Sequence, residues 1–301
     1  MTSPLLLPML GNETLTEEIG RALGWKVGEI EERRFPDGES YVRIGTSLEG
    51  GPVVLVCTLA RPDEKFLPLI FAAATVRELG ASSVGLVAPY LAYMRQDRRF
   101  KPGEAITSRH VARLISESFD WIVTVDPHLH RYGALAEIYT VPTRVIHAAP
   151  LISDWIKRNV AQPLIIGPDS ESEQWVAAVA KEVGAPYSVL EKVRRGDRDV
   201  QITLKDLNIW KGRTPVLVDD IISSGRTMIE AVHLLTANGW TAPICLAVHG
   251  IFADSSDEAL LASGAQLVTS NTLPHSTNRL DVSQLLTSAL IEMAGETRPL
   301  S

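Results

Sequence analysis

Short, continuous apolar runs recur along the whole chain without alternating with polar residues. They are Val53-Val54-Leu55-Val56-Cys57, Val84-Gly85-Leu86-Val87, Trp121-Ile122-Val123-Thr124-Val125, Leu164-Ile165-Ile166, Pro215-Val216-Leu217-Val218, Ile244-Cys245-Leu246-Ala247-Val248 and Gln266-Leu267-Val268. Such runs predict strands covered on both faces, as in parallel sheets. Helical patterns lie between them, over 66–79, 107–118, 172–183 and 227–238; the second opens on a Thr/Ser cap and the others stop at glycines. Strand, helix, strand is the βαβ unit, so the pattern predicts an α/β protein. Residues 142–162, bounded by Pro142 and Pro163, read as a crossover between two similar halves.

Three of the runs stop abruptly at polar residues: Asp126-Pro127-His128, Pro168-Asp169-Ser170 and Asp219-Asp220. In open α/β sheets, ligands bind outside the carboxyl ends of the strands. Three acidic strand ends therefore predict a binding site.

Composition narrows what that site takes. The chain has 301 residues, enough for two domains, with 45% apolar and 22% charged residues, an ordinary globular balance. Its net charge is −7 and its pI about 5.6, which argues against a nucleic-acid partner while leaving room for an anionic small molecule at a local basic cluster. Cys57 and Cys245 both sit in apolar runs and read as small buried hydrophobes, and no Cys/His cluster has zinc spacing. The N-terminus lacks a basic region and makes a poor signal peptide. Residues 231–253 carry no formal charge, but Asn238-Gly239, Pro243 and two histidines break them into helix, turn and strand. A cytoplasmic protein without a membrane span is expected.

The sharpest chemical signal is Val216-Leu217-Val218-Asp219-Asp220-Ile221-Ile222-Ser223-Ser224-Gly225-Arg226-Thr227. A buried strand delivers two carboxylates, and a small-residue loop then opens a helix near Thr227. The backbone N–H groups and hydroxyls of Ser223, Ser224, Gly225, Arg226 and Thr227 form a nest for an anion, helped by the helix dipole. Asp219 and Asp220 can accept from vicinal hydroxyls. Phosphate at one end and a diol at the other describe a ribose 5-phosphate cradle. The string resembles the phosphoribosyl-diphosphate motif of phosphoribosyltransferases and of ribose-phosphate diphosphokinases.

Other segments separate those two families. Arg34-Phe35-Pro36-Asp37-Gly38-Glu39-Ser40-Tyr41 offers an aromatic face at Phe35 and acceptors for an amino group at Asp37 and Glu39; alone it reads equally well as a polar hairpin turn. It resembles the diphosphokinase segment that binds ATP from a neighbouring subunit. Pro89-Tyr90-Leu91-Ala92-Tyr93-Met94-Arg95-Gln96-Asp97-Arg98-Arg99 leaves a strand and ends in cations suited to a triphosphate. The resemblance implies that Arg95 and Gln96 contact ATP and that Asp97 and Arg98 belong to the same ATP-binding set. Asp126-Pro127-His128-Leu129-His130 is similar to the family's Asp-x-His, whose histidine, here His128, belongs to a Mg²⁺–ATP site; by its own chemistry His130 is a hydrogen-bonding loop residue. Asp169 matches a second metal-associated aspartate, although Ser170-Glu171-Ser172-Glu173 departs from the small residues usual there and reads as a helix N-cap. Leu190-Glu191-Lys192-Val193-Arg194-Arg195-Gly196-Asp197-Arg198 reads alone as a basic hairpin and resembles the family's flexible catalytic loop, in which Lys192 and Arg194 close over the transferring phosphates, Arg194 also reaching the sugar phosphate. His249, His275 and the tryptophans Trp121 and Trp175 read as structural.

The resemblance spans roughly residues 10–290 in the family's order. It implies two phosphoribosyltransferase-like α/β domains related by pseudo-symmetry. Residues 1–145 would form the ATP side and 146–301 the ribose 5-phosphate side, with a C-terminal helix near 283–294 packing back on the first. It further implies diphosphoryl transfer from ATP to ribose 5-phosphate, a Mg²⁺ requirement and a homo-oligomer. The rivals are a phosphoribosyltransferase, which Ser223-Ser224-Gly225-Arg226-Thr227 resembles closely, and a non-enzymatic regulatory subunit, which the presence of Lys192 and Arg194 opposes.

Overall fold

A computed structural model describes residues 3–194, 200–203 and 207–296; over 191–194 and 200–203 it describes the backbone alone. The chain divides into two compact units, one of residues 1–146 together with the segment from 283, the other of residues 147–282. Each is built around one parallel sheet.

In the first unit, β1 (Leu5–Pro8) is followed by α1 (Glu13–Leu23) and by a hairpin of β2 (Ile30–Arg34) and β3 (Ser40–Ile44). Then come β4 (Val53–Val56), α2 (Pro62–Glu78), β5 (Val84–Ala88), α3 (Thr107–Ser118), β6 (Trp121–Val125) and β7 (Thr143–Ile146). The sheet runs β1-β4-β5-β6-β7, all parallel, and every residue of β4, β5 and β6 is buried, as their unbroken apolar runs predict. Gly85 in β5 pairs with Trp121 in β6, and a Cβ there would lie 2.1 Å from the indole, so the strand gives up a side chain to seat the ring. The hairpin forms a separate two-stranded sheet.

The second unit holds α4 (Ala149–Asn159), β8 (Pro163–Gly167), α5 (Glu173–Val183), β9 (Tyr187–Val189), β10 (Glu191–Arg194) and β11 (Val200–Thr203). It continues with β12 (Thr214–Ile222), α6 (Arg226–Ala237), β13 (Ile244–Gly250), α7 (Ser256–Ala262), β14 (Gln266–Ser270) and β15 (Asn278–Leu280). Its sheet is β15-β14-β13-β12-β8-β9, again parallel throughout, while β10 and β11 pair antiparallel apart from it. α6 lays Met228, Ala231, Val232 and Leu235 on the core with Leu164, Ile166 and Leu217, a helical spacing that fixes which face it buries. A last helix, α8 (Ser283–Glu296), belongs to the first unit; it packs on α1, β6 and β7, and its Glu292 pairs with Arg144 at 3.0 Å.

Four local expectations change. β12 does not stop at Val218 but runs through Asp219 and Asp220 to Ile222, because Ile221 and Ile222 keep pairing with His249 and Gly250 of β13. α2 starts at Pro62 and not at residue 66: proline suits the first turn, and Asp63 and Glu64 complement the dipole there. Thr107 and Ser108 do not cap α3; their hydroxyls bond Gln96. Ser172 stands at the N-cap of α5 as expected, but its side chain makes no capping bond, and its Oγ donates back to the Asp169 carbonyl at 2.7 Å. Cys57, Cys245, His249 and Trp121 are buried as expected, and burial pushes both thiols up to about 12.

Candidate active site

In the second unit the order of strands reverses between β8 and β12. The chain runs outward from β8 to β9, then returns to β12 on the other side and continues to β13, β14 and β15. A reversal of this kind leaves a crevice outside the strand ends. Asp169 follows β8, and Asp219 and Asp220 lie in the last half of β12, so the carboxylates border that crevice. All three are half-buried. Burial, and then the negative charges of Asp220 and Asp169, hold the Asp219 carboxyl well above the usual range. The backbone N–H of Asp220 donates to Asp219 Oδ1 at 3.0 Å.

Beyond Ile222 the chain turns into α6 through Ser223, Ser224 and Gly225. The turn is held by main-chain bonds: Ile222 O accepts from Ile251 and Phe252, and Ser223 O accepts from Ala253 N–H at 3.0 Å and Ser256 Oγ at 2.7 Å. Gly225 has φ +67°, and a Cβ there would meet Ser256 Cβ at 2.9 Å, so position 225 requires glycine on both counts. Arg226 and Thr227 are the first residues of α6, whose leading N–H groups have no carbonyl within the helix. The five residues thus form a backbone-lined cup at a helix N-terminus, an arrangement that favours a phosphate.

In the first unit the polar residues follow β5 and β6. Residues 89–106 form an 18-residue connection between Ala88 and Thr107. Such a long connection within a compact domain usually carries function. Tyr90, Leu91, Ala92 and Met94 are buried in it, Arg95, Arg98 and Arg99 are exposed, and Gln96 is half-buried. Tyr93 takes φ +61° and donates its hydroxyl to Asp63; partial burial and that bond push the phenol up to about 12. Asp97 turns inward, its side chain 1% exposed, and pairs with Arg131 Nη1 at 2.9 and 3.0 Å. After β6, Asp126 is buried at φ +32°, and the rings of His128 and His130 meet edge to face with centroids 5.0 Å apart.

The hairpin turn brings Phe35, Asp37 and Glu39 together. Phe35 N–H donates to Glu39 O at 2.8 Å, and Glu39 N–H to Asp37 Oδ1 at 3.2 Å. The Phe35 ring is 40% exposed, and the Arg33 guanidinium lies over both Phe35 and Tyr41. Lys192 and Arg194 lie on β10, opposite Ile202 and Val200 of β11; their side chains lie outside the described residues, as do residues 195–199 altogether. His128 belongs to the first unit and Asp169 to the second. Arg131, Tyr93 and Ser256 carry structural roles at these segments that sequence reading missed: their partners are 34, 30 and 33 residues away, with no local pattern to announce the contact.

A parallel sheet with an acidic strand end, a switch point and a phosphate cup at a helix N-terminus defines a phosphoribosyltransferase-type protein. Comparison with known proteins agrees and narrows the class. Residues 5–118 match the N-terminal domain of ribose phosphate pyrophosphokinase, and residues 134–260 match the phosphoribosyl transferase domain. The chain is 35% identical over 285 residues to the ribose-phosphate pyrophosphokinase of Methanopyrus kandleri, covering 93% of this chain and 96% of that one. It is 34% identical to that of Sulfolobus acidocaldarius, covering 89% and 92%. The crystal structure of phosphoribosylpyrophosphate synthetase from Mycobacterium smegmatis shares the fold, with a TM-score of 0.86 over 98% of this chain and 100% of that chain at 24% identity. The chain therefore belongs to the ribose-phosphate pyrophosphokinase family. It is an enzyme with that family's activity, formation of 5-phosphoribosyl 1-diphosphate and AMP from ribose 5-phosphate and ATP. The transferase and regulatory-subunit alternatives give way to this assignment.

Proposed function

We propose a division of the two substrates between the two units. The second unit binds ribose 5-phosphate: the cup of Ser223, Ser224, Gly225, Arg226 and Thr227 holds the 5-phosphate, and Asp219 and Asp220 accept from the ribose hydroxyls. The first unit binds ATP through Arg95, Gln96 and Arg98, with Asp97 setting their placement, and through Phe35, Asp37 and Glu39 of a neighbouring copy. The observation that carries this reading is β12 itself, a buried strand running through two carboxylates into a glycine turn at the start of α6.

The reaction places the sugar's 1-hydroxyl oxygen on the β-phosphorus and releases AMP. It asks the protein for alignment and for stabilisation of charge on the transferring oxygens. Lys192 and Arg194 supply that charge, and Arg194 adds a contact to the sugar phosphate.

Mg²⁺ suits the donors present. Asp169, Asp219 and Asp220 offer hard carboxylate oxygens at the carboxyl ends of two adjacent inner strands, β8 and β12, and the like charge already crowding Asp219 favours a cation. Among the described residues no three His, Cys, Asp or Glu side chains cluster closely enough to hold a metal by themselves. Mg²⁺ commonly takes one or two protein carboxylates and completes its shell with water and substrate phosphates. By the resemblance, His128 would serve such an ion in the first unit and Asp169 in the second, and the ion would neutralise charge on the diphosphate.

The exposed Phe35 on a hairpin that stands as its own sheet supports completion by a second copy, hence a homo-oligomer. Among the described residues no helix is long and apolar enough to cross a membrane. A cytoplasmic role is proposed separately, on the metabolic activity of the family. The test is an assay for AMP with ATP, Mg²⁺ and ribose 5-phosphate. Sugar-dependent AMP release supports the reading, and ATP hydrolysis indifferent to the sugar contradicts it.

A further inference from the structure

The cationic segment after β5 is held by groups that no substrate role uses. Asp97 lies between Gln96 and Arg98, yet its carboxylate is turned away from solvent onto Arg131, both oxygens taking the same Nη1 at 2.9 and 3.0 Å. The next residue, Tyr132, is buried and donates its hydroxyl to the Asp97 carbonyl at 3.2 Å, and Ser108 Oγ bridges Tyr132 and the Gln96 carbonyl. The Arg131 and Arg98 guanidiniums both lie on the Phe100 ring, at 5.5 and 4.9 Å from its centroid. Arg131 is also the third residue after His128. One arginine therefore ties the loop after β6 to the middle of the segment after β5.

We propose that Arg131 is a positioning residue for ATP. By locking Asp97 inward it fixes the alternation that leaves Arg95 and Arg98 outward, and it holds that segment in register with the His128 loop. The proposal rests on reading Arg95–Arg98 as the nucleotide-binding segment. Two flexible arginine side chains on an untethered 18-residue connection would have to be ordered by each ATP that binds; the ion pair orders their backbone beforehand. A lysine at 131 keeps the charge but cannot keep the planar, fixed donor geometry.

The experiment measures equilibrium binding of ATP and of ribose 5-phosphate in separate titrations, with thermal midpoints, for the full chain and for Arg131→Gln and Arg131→Lys. Arg131→Gln strands a buried carboxylate, so the charge-neutral pair Asp97→Asn/Arg131→Gln is measured beside it. The expected result for Arg131→Gln is ATP affinity lower by on the order of 10-fold to 100-fold, with ribose 5-phosphate affinity within about twofold of wild type. Arg131→Lys falls between, and the double variant binds ATP no worse than Arg131→Gln. Unchanged ATP affinity in a folded Arg131→Gln, or equal loss of both substrates, would overturn the proposal. Wild-type protein that binds ATP yet releases no AMP with ribose 5-phosphate would instead overturn the assigned reaction, and the binding comparison would still decide the role of Arg131.

Discussion

The two units present different surfaces at the ends of their strands. In the second, the cup lies at a switch point of the sheet and presents backbone: Ile222 and Ser223 are held through their main-chain carbonyls, one of them bonded by Ser256, and glycine alone fits position 225. In the first, the strand order β1-β4-β5-β6-β7 never reverses, and no crevice comes with the topology. What that unit presents instead is exposed arginines on a long connection, pinned by Tyr93 to Asp63, by Asp97 to Arg131 and by Gln96 to the first turn of α3. A backbone cup is rigid and specific for one small phosphate. A side-chain array on a long loop suits a larger, polyvalent anion, and it requires separate contacts to keep it in place.

The largest effect is expected on β10, which belongs to neither anion-binding device. Lys192→Ala should lower kcat by on the order of 10²–10³ while ATP affinity changes only several-fold, because its charge acts on the transferring oxygens. Single-turnover rates alongside equilibrium binding check this, and near-normal turnover would reduce the segment to a basic hairpin. Gly225→Val comes next. A Cβ 2.9 Å from Ser256 at φ +67° must distort the cup, so ribose 5-phosphate affinity should fall by roughly 10-fold to 100-fold or more.

Asp219→Asn should weaken the sugar phosphate by roughly 1–3 kcal/mol and abolish the preference for ribose 5-phosphate over its 2-deoxy analogue. Its effect on stability has the opposite sign. The fold raises this carboxyl, so between the unfolded and folded pKa values the native state binds more protons, and stability declines as pH rises through that window. The asparagine variant lacks the decline: it should match wild type at low pH and melt higher at neutral pH, as a series of thermal melts across pH would show. The smallest effect is Phe35→Ala, which should weaken ATP by about 1 kcal/mol, the low end of the worth of one stacked base for a side chain this exposed, and leave ribose 5-phosphate unaffected. A fully active monomer would contradict the shared site.

The same contrast explains what the sequence discloses. The cup is contiguous, so Asp219 through Thr227 can be read as one string, and the continuous apolar runs announce β4, β5, β6, β8, β12, β13 and β14. β7, β9 and β15 escape because each is only three or four residues long and mixes polar with apolar residues, and β1 because its three leucines lie between Pro4 and Pro8. The first unit's array is legible only in part. Arg95 and Arg98 stand out as cations, but that Asp97 serves Arg131, or that Thr107 and Ser108 serve Gln96, depends on partners brought together by folding. Local rules favour a helix cap at Thr107, and tertiary contacts with the neighbouring segment override it.

The division of substrates is tested most directly by a crossed binding measurement. ATP and ribose 5-phosphate are titrated separately into wild type, Gly225→Val and Arg95→Ala by calorimetry. The expected result is a clean crossing: Gly225→Val loses ribose 5-phosphate and keeps ATP, whereas Arg95→Ala loses ATP and keeps ribose 5-phosphate. Loss of both substrates in either folded variant, or loss of ATP through Gly225→Val, would contradict the assignment of one substrate to each unit.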